Sequence, residues 1–194
     1  MSSHDRGARP CAGRRALLGG TALALIAPPL WPALAAESTP ERQPAQVGDL
    51  LAFPSWEHAD RLLAPGDLVH GAEPLLVYPR DPATGVIRER SRLNQILVCR
   101  LAPETLDEAT RPHAAGDVVA YSGICTHTGC GITGWDATRA HFVCPCHQSE
   151  FDAGRAGQRV AGPAPRALPA LPLALSDGHF VIRGNFTSAV GASS

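Results

Sequence analysis

Aromatic side chains are scarce in this chain, at 5% of 194 residues, and its charges nearly cancel to a net −1. No basic cluster lies beyond the N-terminus, which excludes a nucleic-acid partner. There is no internal repeat, so a solenoid or propeller is excluded as well. Long helical periodicity is also missing, whereas proline and glycine are plentiful, at 18 and 19 residues. That balance argues for short strands joined by many turns. The length suits one domain plus an export segment.

Residues 1–36 read as a targeting segment and stand outside the fold. Arg6, Arg9, Arg14 and Arg15 form a basic start, Ala16 to Ile26 is almost wholly apolar, and Ala33-Leu34-Ala35 offers a small-residue cleavage site before Ala36. The Arg14-Arg15 pair looks like a twin-arginine export signal, with Gly13 and Ala16-Leu17-Leu18 departing from the usual surroundings. An ordinary Sec signal is the other reading. The roughly 20 apolar residues to Ala36 also suffice for an uncleaved membrane anchor, although Pro28, Pro29 and Pro32 weaken such a helix. Each version places the rest of the chain outside the cytoplasm, on the periplasmic side of a bacterial cytoplasmic membrane. It is then either soluble after cleavage or anchored at its N-terminus.

Residues 37–46 form a polar, proline-containing linker expected to be flexible or extended, and residues 47–194 form the domain. Short apolar runs recur there at Asp49 to Phe53, Pro74 to Tyr78, Gln95 to Leu101, Asp117 to Tyr121, His141 to Val143, Leu171 to Leu175 and His179 to Ile182. The spacing predicts an all-β sandwich or barrel. Asp177-Gly178 is a two-residue hairpin signal, and Glu57 to Leu63 is a candidate short helix.

Two runs carry chemistry: Cys125-Thr126-His127-Thr128-Gly129-Cys130 and Cys144-Pro145-Cys146-His147-Gln148-Ser149. Cys-x-His in one and Cys-x-x-His in the other supply four ligands for a metal site, Cys125, His127, Cys144 and His147. Each run holds one further cysteine, Cys130 or Cys146, that the ligand count does not need.

This double motif closely resembles the Rieske iron-sulfur proteins. The resemblance implies an antiparallel β-sandwich or barrel with a smaller cluster-binding subdomain at its tip, about residues 120–166, and one [2Fe-2S] cluster per chain. Carried over, Cys125 and Cys144 hold one iron, His127 and His147 the other, and Cys130 is disulfide-bonded to Cys146. Replacing two thiolates by neutral imidazoles makes the cluster less negative. Its potential therefore rises, into the family's range of roughly −150 to +300 mV. The second imidazole nitrogen faces solvent in the family and couples electron to proton transfer.

Gly162-Pro163-Ala164-Pro165 resembles the proline loop that covers the cluster in quinol-oxidising members; taken alone it is a surface turn. Three positions depart from the quinol-oxidising pattern: Thr128 replaces an apolar residue, Gln148 a glycine and Phe151 a tyrosine, while Ser149 is retained. In the family the serine and tyrosine hydroxyls donate to cluster sulfur. Losing one such bond at Phe151 lowers the potential by up to roughly 60 to 130 mV. The expected midpoint thus lies above ferredoxins and below the strongest quinol oxidants.

Three functional classes follow. The first is an exported electron-transfer subunit, passing single electrons from a quinol or a catalytic partner to a cytochrome c-type acceptor. Cytochrome b or a larger redox subunit is then its neighbour, as in a quinol-cytochrome c reductase. Cys146 to Asp152 and Gly157-Gln158, with the Glu73 to Leu76 strand and the Gly116 to Tyr121 lead-in, instead look like the small Rieske subunit of arsenite-oxidase-type periplasmic molybdenum enzymes, whereas Gly162-Pro163-Ala164-Pro165 favours the cytochrome bc type. A Rieske oxygenase needs a second iron held by two histidines and a carboxylate, and too little chain follows Phe151. A structural zinc module leaves Cys130 and Cys146 without a role.

His58, His70, His113, His141 and His179 are scattered and unpaired, as surface or half-buried histidines. Cys99 is a small buried hydrophobe. Trp56 and Trp135 are packing residues, with Trp135 placed to shield the site, and Glu150 and Asp152 are solvated charges that, if near the cluster, also depress its potential.

Overall fold

A computed structural model describes residues 39–58 and 61–192. The targeting segment, including Arg14-Arg15, Cys11 and Trp31, lies outside the described residues.

Among the described residues, ten strands form two antiparallel sheets. The larger holds β1 (Leu50–Ala52), β2 (Leu75–Arg80), β3 (Ile96–Arg100), β4 (Val118–Ser122), β9 (Leu173–Ser176) and β10 (His179–Ile182), in the order β4-β3-β2-β1-β10-β9. The smaller holds β5 (Gly134–Asp136), β6 (His141–Val143), β7 (Glu150–Asp152) and β8 (Gln158–Ala161) in sequential order. Only single 3-10 turns occur besides these strands among the described residues. The fold is all-β, as the apolar spacing predicts.

The near-continuous apolar runs of β3 and β4 have a physical reason. Side chains alternate across a strand. Ile96, Val98, Val118 and Ala120 therefore face one core with Leu51, Val77, Phe180 and Ile182. Leu97, Cys99, Val119 and Tyr121 face a second core shared with Cys125, Phe142, Cys144, Phe151 and Leu168. This pair of strands is a wall between two cores, and the second core is the floor of the site. Cys99 is buried there as a small hydrophobe, and burial pushes its thiol pKa up. Tyr121 meets Phe142 edge-on at 5.5 Å and donates its hydroxyl proton to the Ala153 carbonyl at 2.8 Å. Aromatic geometry of this kind contributes about 0.5–1.5 kcal/mol beyond area burial.

Asp177 and Gly178 both have positive φ, 50° and 80°, and join β9 to β10 with Ser176 opposite His179. That is the two-residue hairpin of the primed class.

Four expectations need correction. The described part of the linker is docked, not flexible. Arg88 donates to the Pro40 carbonyl at 3.3 Å and the Gln43 side chain at 2.8 Å, and Asn94 donates to the Gln43 carbonyl at 2.7 Å. Arg88 is itself 3% exposed and paired with Asp49 at 2.9 Å. The described residues of the Glu57 to Leu63 span are not helical: Glu57 and His58 donate to the Pro54 carbonyl in a turn, and Leu63 returns to bond Leu51 in strand fashion. Burial of Phe53 and Leu63 in one core demands this return. Trp56 is 66% exposed, touching only the edge of Tyr78 among the aromatic side chains described.

Finally, Glu150 and Asp152 are not solvated, nor is His141 unpaired. His141 lies 3.2 Å from Glu150 and 3.8 Å from Asp152, with Arg139 closing on Glu150 at 2.9 Å. Cross-strand register creates the group, because His141 stands opposite Asp152 on adjacent strands. His70 likewise approaches Asp117 at 3.3 Å.

Candidate metal centre

The two motif runs form matching six-residue loops. In the first, which follows β4, the Cys125 N–H donates to the Cys130 carbonyl at 2.8 Å and the Gly129 N–H to the Cys125 carbonyl at 3.1 Å. In the second, between β6 and β7, Cys144 N–H donates to Ser149 at 2.9 Å and Gln148 N–H to Cys144 at 3.0 Å. Gly129 and Gln148 thus hold equivalent positions, and both have positive φ, 77° and 55°. A left-handed residue is needed to close each loop. Gln148, read above as standing in a glycine's place, meets that need under strain.

The loops bring the four candidate ligands to one end. The Cys125 and Cys144 thiols lie at the floor, 0% and 1% exposed. Above them His147 is exposed and His127 half-buried. The two Nδ1 atoms are 3.2 Å apart, with ring planes at 89°. Desolvation, then the neighbouring Cys144 thiol, raise the Cys125 pKa, while the His127 N–H and the Ser149 hydroxyl oppose them. Two converging imidazole nitrogens above two buried thiols form a donor set of mixed hardness suited to a metal cluster.

Cys130 and Cys146 are joined by a disulfide with Cα atoms 6.6 Å apart. Their sulfurs and that of Cys144 lie within 4.8 Å of one another. Being bonded together, Cys130 and Cys146 have no thiolate to offer a metal, so that sulfur triplet is not a ligand set. Thr128 is exposed, its hydroxyl 3.7 Å from the Cys130 sulfur.

The proline loop is fastened to both ligand loops. Ala164 N–H donates to Ser149 Oγ at 3.1 Å, and Thr126 Oγ1 donates to the Arg166 carbonyl at 2.9 Å. Pro163 and Pro165 stay exposed while Ala164 is buried. At Gly162, with φ +78°, an added Cβ would stand 2.4 Å from Ser149 Cα and 2.6 Å from the Gln148 carbonyl oxygen. Only glycine lets this loop approach so closely. Phe151 is fully buried in the core beneath the two thiols.

Sequence reasoning missed Thr126 and Arg92. Thr126 sits inside the first motif, so its position was available as a signal. Arg92 bonds the Gly129 carbonyl from 37 residues away, and nothing local announces that. Trp135 packs against the core beneath the site, tilted on Phe142 at 5.2 Å, and its buried indole N–H has no partner among the described residues.

A family model described as the Rieske [2Fe-2S] domain matches residues 83–172. Over that span, which holds both ligand loops and the proline loop, the chain is similar to a Rieske [2Fe-2S] domain. A domain of this family holds a [2Fe-2S] cluster, and the buried thiols and paired imidazoles fit one. The cytochrome bc1 complex Rieske iron-sulfur subunit of Corynebacterium diphtheriae is 51% identical over 77 residues, covering 39% of this chain and 19% of the relative. Its counterpart from Streptomyces lividans is 38% identical over 98 residues, covering 50% of this chain and 58% of the relative. The chain thus spans less than two thirds of either relative. Among solved structures, the plasma membrane Rieske protein of Synechocystis is 25% identical, with a TM-score of 0.37 over 56% of this chain and 86% of that one.

Proposed function

We propose that this chain is a Rieske protein, an exported electron-transfer subunit of a quinol-cytochrome c reductase that takes electrons singly from a quinol and passes them to a cytochrome c-type acceptor. The observation that carries this reading is the His127 and His147 pair at the open end of a site whose thiols are buried. In this reading Cys125 and Cys144 hold one iron, and His127 and His147 the other. A cluster so held supplies reversible one-electron chemistry at high potential.

The chain's own residues account for the rest. With both Nδ1 atoms turned inward, the Nε2 atoms of His127 and His147 are the ones left to accept or release a proton at the surface. The disulfide and the proline loop keep the two ligand loops in register. Ser149 receives the Ala164 N–H, which leaves its own hydroxyl proton for the Cys125 sulfur. Exposed prolines exclude water without adding unpaired backbone donors.

The relatives reported above are named as cytochrome bc1 subunits, which supports cytochrome b and a c-type cytochrome as neighbours over the arsenite-oxidase-type assembly. Residues 1–36 are proposed to direct export and then to be cleaved or kept as an anchor; no helix among the described residues is long and apolar enough to cross a membrane. The test is stopped-flow mixing of the reduced, cluster-loaded protein with an oxidised c-type cytochrome. One electron per cluster should pass to the haem, and absence of transfer at every salt concentration would contradict the reading.

A further inference from the structure

The three loops that build the open end contain no carboxylate. Residues 123–134, 144–149 and 162–168 lack aspartate and glutamate altogether, in a chain that has 18 such residues. Arginines close on the same loops from outside. Arg92 donates to the Gly129 carbonyl of the first ligand loop, and an Nη1 atom of Arg159 lies 3.5 Å from the Gly162 carbonyl of the proline loop. Both side chains are exposed, and neither is ion-paired with a carboxylate among the described residues. Arg166, within the third loop, adds a further positive charge while holding the Gly191 carbonyl.

Nearby acids are already engaged. Glu150 and Asp136 are closed by Arg139, and Asp152 by Arg155 and His141. Each free arginine also has an exposed apolar neighbour in sequence: Leu93 is 48% exposed beside Arg92, and Val160 43% beside Arg159. The chain contains no lysine, so every permanently cationic side chain it offers a partner is a guanidinium. Guanidinium is weakly hydrated and pairs with carboxylates through two parallel bonds.

We infer that the electron-transfer protein met by the histidine-bearing end has its own redox centre ringed by carboxylates, with Arg92 and Arg159 as the specificity-determining contacts. This rests on the electron-carrier reading above. Positive charge concentrated around one exposed centre steers a partner of opposite sign into productive orientation, and such steering weakens as salt shortens the Debye length to about 8 Å at 0.15 M.

Two soluble c-type cytochromes serve as probes, one acidic and one basic. Second-order rate constants for oxidation of the reduced, cluster-loaded protein are measured from low to high ionic strength. With the acidic cytochrome the rate should fall as salt rises, and R92Q with R159Q should lower it roughly tenfold at low salt and leave it unchanged at about 1 M. R183Q removes one such charge from a side chain that contacts the Pro112 carbonyl, and should leave the slope intact, whereas R92Q and R159Q singly should each reduce it. An unaltered redox midpoint in the double variant shows that the effect lies in docking.

Faster transfer to the basic cytochrome, a salt-independent rate, or equal losses in R183Q would overturn the inference while leaving the electron-carrier reading standing. Transfer to neither cytochrome would instead sink that reading. Co-sedimentation with anionic phospholipid vesicles that the double variant abolishes, with cytochrome rates unaffected, would assign the arginines to a lipid surface and overturn the inference.

Discussion

Replacing Gly162 with alanine separates backbone strain from loop contact when set beside the same change at Gly178. Both glycines have φ near +80°, so both substitutions carry the left-handed penalty of about 1–2 kcal/mol. At Gly178 nothing lies within 4 Å of the new methyl, whereas at Gly162 it would meet backbone atoms of Gln148 and Ser149 at 2.4, 2.6 and 2.7 Å. Backbone cannot rotate away as a side chain can. The least costly escape is for the proline loop to lift, giving up the Ala164 to Ser149 and Thr126 to Arg166 hydrogen bonds at about 1 kcal/mol each and the buried Ala164 methyl at about 0.8 kcal/mol. The extra cost is then about 2–3 kcal/mol, a roughly 30- to 150-fold larger open population. Equilibrium urea unfolding should show G162A less stable than G178A by that margin. Bleaching of the visible absorption at sub-denaturing urea should accelerate in G162A alone. Equal stability and equal bleaching in the two variants would refute the account of how the loop is held.

Four further outcomes are expected. Gln148→Gly should relieve the positive φ at the second ligand loop, raising the thermal midpoint and slowing bleaching by up to about 1 kcal/mol; a loss of stability would show that the Gln148 contact with Pro145 outweighs the strain. Arg88→Met leaves Asp49 buried without its partner and should cost about 3–5 kcal/mol in denaturant unfolding, with faster amide exchange in residues 39–46; unchanged exchange would show that the strap is held by other contacts. Cys130→Ser should lower stability by roughly 3 kcal/mol on the chain-entropy model while cluster incorporation is retained, and unaltered melting would count against the bridge. Burial, the first cause in each case, raises the pKa of both tyrosines of the chain, Tyr78 and Tyr121. The folded state therefore holds its phenolic protons above pH 10, where the unfolded chain has lost them. Stability should fall as pH climbs past about 10, with tyrosinate absorbance appearing together with unfolding; ionisation well before unfolding would contradict this.

What could be read from the sequence divides along a physical line. The strands of the larger sheet and β6 carry continuous or alternating apolar residues, so their positions were legible. β5, β7 and β8 were not, because Gly134-Trp135-Asp136, Glu150-Phe151-Asp152 and Gln158 to Ala161 owe their strand form to pairing with neighbours more than to apolar pattern. The candidate ligands were legible because each loop is a six-residue local unit. The anchoring of residues 39–46 was not, since Arg88, Arg90 and Asn94 reach it from about 50 residues downstream. The same holds for Arg92 at Gly129. Gln148 was noticed as a departure, but only the backbone showed that it occupies the position of Gly129 in the sister loop.

The most direct test of the central claim is an EPR-monitored redox titration of the cluster-loaded protein at several pH values. The account predicts a Rieske-type signal with a midpoint well above about −400 mV, below the top of the range near +300 mV, and falling as pH rises through proton loss at the His127 and His147 Nε2 atoms. A midpoint at ferredoxin values that does not move with pH would contradict histidine ligation and the function built on it.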